Sequence, residues 1–94
     1  MIAKVFVVDN PYDADVKLFK VNDPYEADLY FYVTKDSYEA QGDEIWFFTD
    51  NQYDATVKVF WASESYDADI RVYKVNEKYE AKWNKGNPFV ARLG

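Results

Sequence analysis

The sequence predicts a β-rich α+β domain, built from six strand-plus-one-turn-helix repeats in two pseudo-twofold halves. Three observations carry that prediction. Tyr-Asp/Glu-Ala recurs at Tyr12, Tyr25, Tyr38, Tyr53, Tyr66 and Tyr79, with spacings of 13, 13, 15, 13 and 13 residues. A second aromatic stands six residues before each of these tyrosines, at Phe6, Phe19, Tyr32, Phe47, Phe60 and Tyr73. Three residues before each motif acid comes Asn10, Asp23, Asp36, Asn51, Glu64 or Glu77, a spacing typical of helix N-termini. The one long interval splits the repeats into triplets of about 1–40 and 44–83, joined through Gln41-Gly42-Asp43 and followed by a closing segment, 84–94.

The strands come first in each repeat. Runs such as Val16-Lys17-Leu18-Phe19-Lys20-Val21 are β-branched and aromatic, and each ends in polar punctuation. Alternation places the six aromatics on one pleat and Val5, Leu18, Phe31, Trp46, Val59 and Val72 on the other. Both faces are largely apolar, so the strands are expected between layers, with Lys17, Lys58 and Arg71 laying their stems over neighbours. The turns follow. Pro11 and Pro24 occupy the first helical position, where a missing N–H costs nothing. One helical turn is expected after each strand, with the motif Tyr and Ala packed inward and the acid holding free N–H groups. Glu64 and Glu77 are poorer caps than Asn or Asp. A strand of six residues spans about 20 Å, and seven residues remain to reach the next. A parallel neighbour ordinarily needs a crossover of about a dozen residues or more. Successive strands are therefore expected to be antiparallel or in different layers.

Composition narrows the chemistry. Ninety-four residues make one domain, 1–94, and the aromatic share of 20% supplies apolar area for folding without staples. Cysteine and histidine are both absent, which removes disulfides, thiolate nucleophiles, histidine dyads and the usual zinc and haem ligands. A net charge of −6 argues against nucleic acid and anionic membrane as partners. It favours a soluble monomer, and Met1-Ile2-Ala3-Lys4-Val5-Phe6 begins a strand pattern instead of a signal peptide, so cytoplasmic residence is expected.

Paired carboxylates such as Asp13-Ala14-Asp15, with Asp28 and Asp69 in the matching places, raise the idea of a calcium or magnesium site. A capping acid followed by a solvated aspartate explains each copy better, and the sharp-turn glycine of calcium loops is missing. A glycosidase-like carboxylate pair is disfavoured because a catalytic residue breaks a repeat where these recur in it. The reading assigns no catalytic, cofactor-binding or metal residue and no cofactor. Trp61 is the one candidate binding residue. It takes the place held by Val7, Lys20, Val33, Phe48 and Lys74, and two lysines there mark a position near the surface. An exposed Trp61 suits sugar stacking or an interface anchor; a core ring with one wet edge is the plainer explanation. The tail Lys85–Gly94 carries a turn signal and then an apolar stretch, expected to pack as a last strand or short helix.

Strand-turn units carrying Tyr-Asp/Glu-Ala-Asp, doubled into halves, with Trp46-Phe47-Phe48-Thr49 opening the second half and Trp83 after the last motif, resemble the septoil-knot domain family. The resemblance spans about Lys4 to Trp83. It departs where Thr56 replaces the aspartate found as Asp15, Asp28 and Asp69, where Gln41-Gly42 follows Ala40, and where Lys82 follows Ala81. It implies a deeply knotted, β-rich small domain with no assigned activity. The functional expectation is a non-enzymatic, mechanically and kinetically stable domain with a structural or protein-interaction role; the alternative is a carbohydrate-binding module using exposed aromatics.

Overall fold

A computed structural model describes residues 3–36, 38, 42 and 44–84. Seven strands form: β1 (Ala3–Val7), β2 (Val16–Lys20), β3 (Leu29–Val33), β4 (Ile45–Phe48), β5 (Val57–Trp61), β6 (Ile70–Lys74) and β7 (Lys82–Trp83). They make one sheet in the order β4-β1-β5-β2-β6-β3-β7, and β3 also pairs with β4. That extra pairing closes β1 to β6 into a barrel in which all neighbours are parallel. β7 adds antiparallel to the start of β3. The chain is therefore all-β, and the α+β expectation is corrected. Among the described residues four turns are only three residues of 3-10 helix, at Pro11–Asp13, Pro24–Glu26, Ser65–Asp67 and Lys78–Glu80, and 52–54 form a plain turn. Their bonds close over three residues, as from Asp13 N–H to Asn10 O at 3.0 Å, too tight and short to count as a helical layer.

The expectation of antiparallel or separate-layer strands is also corrected, and the reason lies in the stagger. The last residue of β1, Val7, lies opposite Val59 of β5, and so does the first residue of β2, Val16. The end of one strand and the start of the next therefore sit level, on either side of an intervening strand. The connection hops sideways by two inter-strand spacings, roughly 10 Å, and has no strand length to retrace. The same offset recurs from β2 to β3 across β6, where Lys20 and Leu29 both face Val72.

Each connection is fixed to the strand that it straddles. Residues 8–15 cross β5, with Val8 N–H donating to Val59 O at 2.9 Å and Asp15 N–H to Lys58 O at 2.8 Å. Residues 21–28 cross β6 through Val72 O and Arg71 O, 49–56 cross β1 through Val5 O and Lys4 O, and 62–69 cross β2 through Leu18 O and Lys17 O. Strands of the two sequence halves thus alternate around the barrel, and the halves are interleaved. Along the sheet order, β1, β2, β4, β5 and β6 are each succeeded in sequence by the strand two places on, while β3 pairs directly with its successor β4. The chain lies under one crossover as a strand, then passes over another strand as a crossover. Strands and crossovers thus alternate under and over one another, an arrangement consistent with a knotted domain.

The inner pleat is the one expected from alternation. Val5, Leu18, Phe31, Trp46, Val59 and Val72 are buried, joined by Ala3, Val16, Leu29, Val57 and Ile70. A barrel this narrow is filled by side chains, and size is balanced locally: Ala3 stands opposite Trp46 in the register. Phe31 stacks on Trp46 at 4.1 Å between ring centroids, and Phe48 meets Trp46 edge-on at 6.1 Å. The outer pleat holds the half-buried rings of Phe6, Phe19, Tyr32, Phe47, Phe60 and Tyr73. Gly42, at the junction of the halves, has φ +60° and so occupies the left-handed region that favours glycine. The tail 85–94, expected as a last strand or short helix, lies outside the described residues.

Candidate functional site

The turns, the strand starts and one end of the barrel are where the repeat meets solvent. At the turns, Asn10, Asp23 and Asn51 each accept an N–H from the motif tyrosine two residues on, at 2.9 Å in all three cases. Glu64 and Glu77 make no such cap bond. The N–H groups are thus held by the residue at the N-cap and not by the motif acid, as had been expected. A short Asn or Asp side chain reaches its own turn; a 3-10 turn leaves the acid pointing away from it.

The motif tyrosines do not pack inward. Tyr12, Tyr25, Tyr38, Tyr53, Tyr66 and Tyr79 are 77–94% exposed. The alanine that follows lies closer to the sheet, fully buried at Ala27. The outer pleat of each of β1 to β6 already carries a half-buried ring of its own.

At Asp15, Asp28 and Asp69 the aspartate that follows the alanine is a tie, and at Asp15 and Asp69 it also faces solvent. Asp15 Oδ2 accepts the Lys58 N–H at 2.8 Å, while Asp15 N–H donates to Lys58 O. Asp28 holds Arg71 in the same two-point manner, and Asp69 holds Lys17, each with a carboxylate bond of 2.9 Å. In a longer parallel ladder a backbone carbonyl would meet that N–H. Here the chain has left the sheet for its turn, and the carboxylate replaces the missing acceptor. Thr56 does likewise, its Oγ1 accepting the Lys4 N–H at 2.8 Å. The departure at Thr56 preserves the accepted bond, removes the charge and adds a hydroxyl that donates to Lys4 O at 3.2 Å.

The described motif acids stand on separate turns. Asp54 forms an ion pair with Lys4 at 3.4 Å, and among the described residues no group of three or more carboxylates is placed to hold a metal. Outside the barrel, crevices of about 440 Å³ near Pro24, Tyr73 and Glu80 and about 230 Å³ near Pro11, Phe60 and Asp67 occupy matching repeat positions. They are gaps that the crossover pattern leaves between turns.

The third place on the inner pleat opens at the C-terminal ends of the strands. Trp61, Lys20, Val33, Phe48 and Lys74, which share one position in the repeat, line with Phe31 a bowl of about 350 Å³. Val7 holds the matching place on β1. Trp61 is half-buried and packed against the core, one wall of the bowl. Lys20, Lys74 and Phe48 were not singled out as site residues from the sequence, although their equivalence to Trp61 in the repeat was the available signal.

No helix among the described residues is long and apolar enough to cross a membrane. No curated protein and no solved structure shows a significant match to the chain. The family described as the 7(1) septoil knot domain matches residues 2–84, nearly the whole sequence. The chain belongs to the septoil knot domain family.

Proposed function

We propose that this domain is a non-enzymatic interaction module, a kinetically stable interlocked barrel that displays its exposed motif tyrosines, each followed by an acid in the sequence, to a cationic partner. The observation that carries the reading is the exposure of all six motif tyrosines, at 77–94%. Packing accounts for the repetition of the inner pleat and hydrogen bonding for that of Asp15, Asp28, Asp69 and Thr56. Neither accounts for a ring kept in water six times. An exposed aromatic beside a carboxylate suits a lysine- or arginine-rich segment, through cation–π contact and charge attraction, and the net charge of −6 has the matching sign. The turns face outward around the barrel, so the partner is a flexible basic chain that engages several turns in succession.

The placement of motif acids on separate turns supports a binding role over hydrolysis. Trp61 sits between lysines and other rings, without the amides and carboxylates that hold sugar hydroxyls, which disfavours the carbohydrate reading.

The test uses a nona-arginine peptide at physiological salt against the wild-type chain and a variant with Tyr12, Tyr25, Tyr53, Tyr66 and Tyr79 all changed to serine. Net charge is unchanged. At least a tenfold loss of affinity, with the circular dichroism of the folded barrel retained, is expected. Equal affinity, or no binding by the wild type, overturns the reading.

A further inference from the structure

The barrel mouth has two unlike sides. Going round it, Lys20 on β2 and Lys74 on β6 are neighbours, flanked by Trp61 on β5 and by Phe31 and Val33 on β3, while Phe48 on β4 and Val7 on β1 lie across from them. The register places Lys74 level with Phe31 and two residues beyond Val72, the partner of Lys20. The two cations therefore stand on adjacent strands, staggered along one wall.

Among the described residues neither lysine makes a hydrogen bond or an ion pair. In a chain with 17 acidic and 11 basic side chains, two cations stand on adjacent strands at the rim of an apolar bowl. The opposite wall is rigid, because Trp46 beneath it stacks on Phe31 and braces Phe48 edge-on. A volume of about 350 Å³ falls in the range of small-molecule sites, where an apolar lining supplies affinity and a few polar groups set orientation. β7 runs antiparallel along Leu29 and Tyr30 at the start of β3, so the described chain ends at the other end of the barrel.

The geometry points to a small-molecule site in this mouth for an amphipathic anion: a flat aromatic body against Trp61, Phe31 and Phe48, and a carboxylate between Lys20 and Lys74. This site is independent of the tyrosine belt, since none of its residues belongs to a turn. A cation wall opposite a ring wall selects both the charge and the direction of entry. The lysine stems add apolar cover while their ammonium groups stay at the rim.

Isothermal titration with 2-naphthoate and with neutral 2-naphthylmethanol tests it on the full chain. Wild type is expected to bind 2-naphthoate at least tenfold more tightly than the alcohol at low salt. The double change Lys20→Gln with Lys74→Gln removes that preference and leaves alcohol binding in place. Trp61→Ala weakens both ligands at least fivefold and leaves the preference. Because all three side chains lie at the rim, the variants keep the barrel fold, checked by circular dichroism. Absence of naphthoate binding up to millimolar concentration overturns the assignment. So does equal affinity for the two ligands, or binding that none of the substitutions changes.

Discussion

The inner pleat and the belt of turns repeat with the same period, yet they repeat for different reasons. Inside, Val5, Leu18, Val59 and Val72 recur because the barrel has one layer of space to fill at each strand. On the belt, six tyrosines recur with 77–94% of their surface exposed. The contrast separates what the fold needs from what it carries: a substitution inside changes stability, and on the reading proposed above a substitution on the belt changes recognition.

The sharpest way to strain that contrast is in the core. Leu18→Ala is expected to cost about 2–5 kcal/mol and Trp46→Ala about 3–5 kcal/mol in denaturant unfolding, from lost burial plus the cavity left behind. A loss below about 1 kcal/mol at both sites would put the core elsewhere. The ties come next. Asp15→Ala leaves the Lys58 N–H without its acceptor, and a loss of about 1–2 kcal/mol is expected, reduced from a buried case because the site is solvent-facing. Thr56→Asp tests the same bond from the other side and is expected to be neutral within about 0.5 kcal/mol. The caps are smaller. Asn10→Ala is expected to cost about 1 kcal/mol, whereas Glu64→Ala, which removes no cap bond, stays within about 0.5 kcal/mol. Equal effects at Asn10 and Glu64 would mean that the observed cap bonds contribute nothing.

Much of this was legible in the residues. Period-two alternation assigned Val5, Leu18, Phe31, Trp46, Val59 and Val72 to one pleat, and the repeat put Trp61 in register with Lys20 and Lys74 at what became the barrel mouth. The topology was not legible, because the length argument assumed that each connection must return along a full strand. The stagger that sets Val7 and Val16 level at Val59 is a property of the pairing, and no single strand's sequence contains it. Asp15 and Thr56 were misread for a related reason: their partners, Lys58 and Lys4, are 43 and 52 residues away. The tyrosines were assigned inward because an aromatic beside alanine on a short turn reads as core. The outer pleat instead holds Phe6, Phe19, Tyr32, Phe47, Phe60 and Tyr73, one half-buried ring on each of β1 to β6.

The most direct measurement is the equilibrium unfolding of the variant with Tyr12, Tyr25, Tyr53, Tyr66 and Tyr79 all replaced by serine. If the belt carries recognition and not folding, the protein forms the same barrel, and the loss averages no more than about 0.5 kcal/mol per tyrosine. A variant that fails to fold, or one losing upwards of about 1.5 kcal/mol per ring, would make the tyrosines part of the packed structure and contradict the account.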